Sequence, residues 1–174
     1  MNECRSCVCE RPCCSCRTAV CVDGRETGES AVVRVLVVGR FSREKDQATI
    51  LRALRHSAHA RSIQLTFAGR GPTEHSLRAS ARRLLRRGVI AHPVRFAFMS
   101  ADELAREASS CDLYVHAARI EVEGLSALEV LRHGVVPIIA RGPLTATSQF
   151  ALSEDSVFEA EDARALARAI DAWI

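Results

Sequence analysis

The chain has 174 residues, 48% of them apolar and 26% charged, with a formal net charge of +3. That balance fits one soluble globular domain and argues against both a disordered chain and an electrostatically driven nucleic-acid binder. No run approaches the roughly 20 apolar residues of a membrane span, and no apolar signal core opens the chain, so a cytoplasmic location is expected.

Two skews stand out. Seven of the eight cysteines lie within the first 21 residues, leaving only Cys111 in the body. The basic side chains are 23 arginines and a single lysine, Lys45. Residues 1–30 show neither helical nor strand periodicity and are expected to form an unstructured Cys-rich leader. Cys4 and Cys7 have ligand-like spacing. No matching second pair or nearby histidine follows, so a misassigned start is favoured over metal binding, and a disulfide framework ranks lower still.

From residue 31 the pattern alternates strand and helix. Residues 32–38 form an apolar run closed by Gly39, as in a buried parallel strand. A helix is expected over 44–57, with Ser42 as a candidate N-cap. Residues 63–68 are the next strand, followed by Gly69-Arg70-Gly71-Pro72. A helix over 74–87 stops at Gly88, with Leu77, Leu84 and Leu85 expected to face the sheet. Residues 94–98 predict a third strand. Ser100 to Glu103 spell a capping box for a helix reaching about Ser109. Strand 113–116, helix 124–133 with Gly134 as its stop, and strand 135–140 come next. A short apolar segment at 157–158 precedes a last helix over 162–173, with Leu166, Ile170 and Trp173 on one face. Strands joined by such helices imply right-handed crossovers and a doubly wound parallel sheet.

In such sheets ligands sit beyond the carboxyl ends of the strands. Three loops there carry unusual chemistry. In Gly39 to Lys45 a glycine precedes two cations and a helix start, which suits a diphosphate, although in isolation an ordinary surface loop with solvated charges is the favoured reading. Gly69-Arg70-Gly71-Pro72 is the second loop. The third runs from His116 to Gly124 and into a helix. There Glu121 and Glu129 stand eight apart around free amides near Gly124, Leu125 and Ser126. Such carboxylates suit sugar and ribose hydroxyls, or merely a helix dipole and a solvated helix face.

The order Gly-Arg-x4-Lys, Gly-x-Gly-Pro, then Glu-x7-Glu and Gly-x2-Pro resembles the donor-binding half of retaining glycosyltransferases of the GT-B architecture, family 4. The resemblance covers residues 33–174. Residues 112–124 are most similar to bacterial hexosyltransferases acting on diacylglycerol-type acceptors. It implies a Rossmann-like domain that binds a UDP- or GDP-hexose without a metal or other cofactor. By that resemblance Gly39, Arg40 and Lys45 hold the diphosphate, and Gly69 and Met99 lie beside the nucleotide, whose base sits near residues 94–99. Glu121 lies at the hexose, Gly124 and Leu125 offer amides, and Glu129 binds the ribose; His116, beside the sugar site, reads equally as a hydroxyl partner or as a satisfied loop histidine. Arg40, Lys45 and Glu121 are the implied catalytic set.

This sequence departs from the family pattern at three places. Glu123 stands where an aromatic residue is common, and Ala97-Phe98 replace a glycine-containing turn. The acceptor-binding first domain and a closing helix beyond Ile174 are not in the chain, so a partner domain or subunit is expected. A non-catalytic nucleotide-sugar-binding module and an inactive fragment are the alternatives; a nucleotide-sugar epimerase fits the Glu-x7-Glu pattern less well. Arg78, Arg82, Arg83, Arg86 and Arg87 read as a solvated helix face, with peripheral docking on the inner face of the membrane as the other possibility. Cys111 reads as a small buried side chain.

Overall fold

The computed structural model describes residues 32–174. The expectations for the Cys-rich leader lie outside the described residues. Six strands form one parallel sheet: β1 (Val33–Val38), β2 (Ile63–Ala68), β3 (Arg95–Ala97), β4 (Leu113–His116), β5 (Val136–Arg141) and β6 (Val157–Glu159). Their spatial order is β3-β2-β1-β4-β5-β6. The chain winds outward from β1 to β3, then returns to the other side of β1 and winds out again. The switch point therefore lies between β1 and β4, where Val35 pairs with Leu113 and Leu36 with Tyr114. Crevices for ligands open at such points because the flanking crossovers leave in opposite directions.

Helices α1 (Gln47–Ala53), α2 (Glu74–Arg86) and α5 (Ala163–Asp171) cover one face of the sheet, while α3 (Ala101–Ser110) and α4 (Leu125–Leu131) cover the other. The two-residue period of a strand decides which side chains meet which layer. Val35 and Val37 of β1 and Leu113 and Val115 of β4 pack with Ile50, Leu77 and Leu166. Leu36 and Tyr114 point the other way, against Leu104, Ala127 and Val130. His116 shares the parity of Tyr114. It therefore ends β4 on the α3/α4 side, directly at the switch point.

Several expected boundaries move for local reasons. α1 begins at Gln47 rather than residue 44, and Asp46 is its cap, not Ser42. Asp46 adopts a left-handed backbone (φ 43°), and its carboxylate accepts from the Thr49 amide and, at 2.5 Å, from the Thr49 hydroxyl. Aspartate tolerates that conformation and satisfies an orphan amide in the first turn. The consequence is functional: residues 43–46 form turns, so Lys45 sits in a loop instead of a helix.

The strand expected over 94–98 shrinks to Arg95–Ala97, an edge strand that pairs only with β2. On α2, Leu77, Ala81 and Leu84 are buried, but Leu85 is turned outward, one position beyond the apolar stripe. α5 ends at Asp171, which leaves Trp173 past the helix and partly exposed. The capping box at Ser100 and Glu103 forms as expected, and Gly88 and Gly134 take the left-handed conformation past their helices. Arg82, Arg83, Arg86 and Arg87 are exposed near the C-terminal end of α2. Among the described residues no helix is long and apolar enough to cross a membrane.

Candidate functional site

Three loops meet beyond the carboxyl ends of β1, β2 and β3, and they are joined through their backbones. The Gly39 amide donates to the Ala68 carbonyl (3.0 Å), Phe41 to Arg70 (3.0 Å), and Gly69 to Ala97 (2.8 Å). Glycine is required where these chains touch. A Cβ on Gly69, whose φ is +151°, would lie 2.1 Å from the Gly39 carbonyl oxygen; on Gly71 it would lie 2.3 Å from that of Phe41. Phe41 is fully buried beneath the loops, edge-on to Phe67 and Phe96. Gln47, also buried, donates to the Arg40 carbonyl at 2.9 Å and so fixes the loop from below.

Above this junction lies a cavity of about 620 Å³. Gly39, Arg40, Gly69 and Met99 line it, four of the residues expected at the nucleotide. Phe98 lines it too and is 67% exposed, with the Arg70 guanidinium 4.1 Å from its ring centroid. Arg70 and Phe98 fall in segments singled out from sequence, but neither side chain was among the expected site residues. Their positions directly after β2 and β3 were the available signal. The Arg40 side chain is exposed and makes no ion pair among the described residues.

A second cluster forms across the switch point. Lys45, from the loop after β1, makes an ion pair with Glu121, from the loop after β4. The backbone holds these loops together: the Arg119 amide donates to the Glu44 carbonyl at 2.7 Å. On its other side Glu121 is tied to the segment after β5, donating to the Leu144 carbonyl (3.0 Å) and accepting from the Ala146 amide (2.9 Å). Burial pushes the Glu121 pKa up. The Lys45 hydrogen bond and charge, then His116 and the Gly124 amide, outweigh this and hold it below its ordinary value. The carboxylate is therefore ionised at neutral pH.

His116 lies behind Glu121, 3% exposed, with Nε2 3.5 Å from the Glu121 carboxylate. Its Nδ1 is 2.9 Å from the Tyr114 hydroxyl. Burial lowers the imidazole pKa to about 4; Glu121 opposes the shift and Lys45 adds to it. Tyr114 is fully buried, and its pKa is raised, mainly by burial. Tyr114 is another participant missed from sequence, although its spacing of two from His116 on a strand placed both on one face.

Gly124 opens α4 with φ +68°, and a Cβ there would meet Thr147 Cγ2 at 2.4 Å. Leu125 is exposed in the first turn of α4, and Glu129 is half-exposed one turn on. Glu129 acts electrostatically on Tyr114. The expected residues thus fall into a cavity group (Gly39, Arg40, Gly69, Met99), a charged group (Lys45, His116, Glu121, Gly124) and two positions on α4 (Leu125, Glu129). The loop from Gly39 to Lys45 joins the first two groups.

The glycosyl transferases group 1 family matches residues 29–174. Among solved structures, the catalytic domain of the cholesterol-α-glucosyltransferase from Helicobacter pylori is 38% identical, with a TM-score of 0.69, over 81% of this chain and 85% of that one. Anabaena Alr3699/HepE, in complex with UDP and glucose, has a TM-score of 0.65 at 16% identity, over 81% of this chain and 38% of its own. The C-terminal domain of LpcC from Francisella tularensis, a glycosyl transferase group 1 family protein, has a TM-score of 0.65 at 15% identity, over 80% and 74%. The last two likenesses concern the fold alone. Comparison with curated protein sequences gives no match. A sheet with its switch point at Lys45 and Glu121, a family match over most of the chain and a relative at 38% identity lead to one conclusion: the chain belongs to the glycosyl transferases group 1 family, with the fold of a GT-B C-terminal domain.

Proposed function

We propose that the chain binds a nucleoside-diphosphate hexose, a UDP- or GDP-hexose, as the donor half of a retaining, metal-independent hexosyltransferase. The observation that carries this reading is the Lys45–Glu121 pair across the switch point, on the same loop as Arg40, which lines a cavity of about 620 Å³. The base and ribose occupy the cavity, with the base against Phe98 and Arg70, an exposed aromatic ring and the cation over it, which suit an aromatic base. Glu129 faces the ribose from α4. The diphosphate lies between Arg40, which grips oxygens as a fork, and Lys45, which acts as a compact charge. As the glycosidic bond to the diphosphate breaks, negative charge grows on the leaving phosphate. The two cations, already in place, stabilise it without a metal ion. Glu121 accepts a hydroxyl hydrogen bond from the hexose and fixes its orientation.

The acceptor is apolar in this reading. Ile120, Val122, Leu125, Leu128 and Leu144 are exposed around Glu121, a concentration of aliphatic surface next to the hexose position. The 38% identical relative is named for cholesterol, which agrees with a lipid-type acceptor. The remaining acceptor contacts come from a second domain or subunit.

Calorimetric titration with UDP, GDP and their glucose, galactose and mannose conjugates tests the donor reading. One base is preferred, and both Lys45→Ala and Glu129→Ala weaken its binding by about tenfold, the loss of one charge-assisted contact. A folded wild-type protein that binds none of these ligands refutes the proposal.

A further inference from the structure

The Lys45–Glu121 pair raises a question if Lys45 also serves the diphosphate: once Lys45 turns to phosphate, Glu121 is left ionised and largely buried without its cation. The structure holds a replacement. The His116 Nε2 atom is buried and has no hydrogen-bond partner, and it lies 3.5 Å from the Glu121 carboxylate, just beyond bonding distance. Its proton is set by the layer behind it. The Ser126 side chain is hydrogen-bonded to the Tyr114 phenol, which is buried and stays protonated. The Tyr114 hydroxyl lies 2.9 Å from His116 Nδ1, and donor and acceptor there follow from the tautomer of the imidazole. We assign the tautomer in which Tyr114 donates to Nδ1, which leaves the imidazole proton on Nε2, 3.5 Å from the Glu121 carboxylate. A buried N–H left unpaired costs free energy, so a small approach of Glu121 is favourable once Lys45 withdraws.

We propose that His116 is the positioning residue of Glu121: when a bound diphosphate draws Lys45 away, the His116 Nε2–H takes over the carboxylate and keeps it aimed at the hexose. This rests on the donor reading given above. The groups that face His116 are Tyr114 on its own strand, Glu121 on the loop after it and Lys45 on the loop after β1; Glu129 on α4 acts through Tyr114. The exchange therefore removes the one cation that opposes protonation of His116 and leaves the anion that favours it.

The test is NMR titration of the His116 imidazole in the whole chain with labelled histidine, the signal assigned by its loss in His116→Gln. In the free protein the midpoint lies near 4. Saturating UDP or GDP, whichever binds, moves it up by about one unit or more, the effect of an uncompensated carboxylate at this distance. Lys45→Met produces the same rise without ligand. A second readout separates positioning from general packing: His116→Leu weakens binding of the nucleotide-hexose more than that of the nucleotide alone, and His116→Gln, whose Nε2 can still donate, recovers the difference. Nucleotide binding with an unmoved His116 midpoint overturns the positioning role and leaves the donor reading standing. An unmoved midpoint in Lys45→Met also overturns it. Failure of both nucleotides to bind overturns the donor reading together with this one.

Discussion

Replacing Gly69 by alanine isolates the contact that joins the two glycine loops. Two costs separate at this site. The first is backbone strain, because φ of +151° is a region that side chains rarely adopt, and it costs about 1–3 kcal/mol. Gly39, at φ +143°, carries the same strain, but a Cβ there meets nothing within 4 Å. The second cost is steric and belongs to Gly69 alone. Its Cβ would stand 2.1 Å from the Gly39 carbonyl oxygen and 3.3 Å from Phe41 Cε1. No side chain can rotate away to relieve this, because the obstacle is backbone held by the Gly39–Ala68 and Phe41–Arg70 hydrogen bonds. Separating the loops costs about 1–2 kcal/mol more, the loss of one or two such bonds. Urea unfolding of the two variants gives the comparison. Gly39→Ala loses about 1–3 kcal/mol, and Gly69→Ala loses that plus the additional 1–2 kcal/mol. Gly69→Ala also weakens nucleotide binding more, since the cavity wall moves. Equal stability of the two variants would refute the argument that backbone contact, rather than conformational freedom, requires glycine at 69.

Three further outcomes follow from the same geometry. Stability falls on acidification: His116 is held neutral with a pKa near 4 against an ordinary 6.5, so the unfolded chain binds its proton first as the pH drops through 6.5. Its contribution is complete above pH 6.5 and is lost progressively down to about 4. Between pH 7 and 5 this amounts to about 2 kcal/mol in urea unfolding, and His116→Gln flattens the profile. Phe98→Ala leaves the urea midpoint nearly unchanged because the ring is exposed, yet weakens nucleotide binding about tenfold through the lost stacking surface, as titration calorimetry measures. The Cys111 thiol, whose pKa burial and then Asp112 push up to about 12, resists alkylation in the native protein at neutral pH; peptide mapping after brief iodoacetamide treatment shows modification at Cys111 only once the domain is unfolded.

Much of the fold was legible because local rules and tertiary structure agree. Apolar runs closed by glycine became the parallel strands, and Ser100 with Glu103 formed the capping box. Gly88 and Gly134 stopped their helices with positive φ. Where the reading slipped, a competing local interaction was responsible. Asp46 outbid Ser42 as a cap through its bonds to Thr49, and the apolar stripe of α2 ended at Leu84, not Leu85. The family pattern likewise marked the loops that carry Arg40, Lys45 and Glu121 and the helix that carries Glu129.

Pairings across the switch point were decided only by the tertiary structure. Lys45 and Glu121 are 76 positions apart, and nothing local makes the loop after β1 meet the loop after β4. They meet because β4 returns beside β1, a consequence of the right-handed crossovers that wind the sheet in two directions. The Arg70–Phe98 stack depends in the same way on β2 and β3 being neighbours. The sequence by itself determined the element types, the strand-end loops and the charges those loops carry, since these follow from periodicity, capping and spacing. Which charge faces which, and that His116 lies buried behind Glu121, depends on strand order and register, which are long-range properties of the packed sheet.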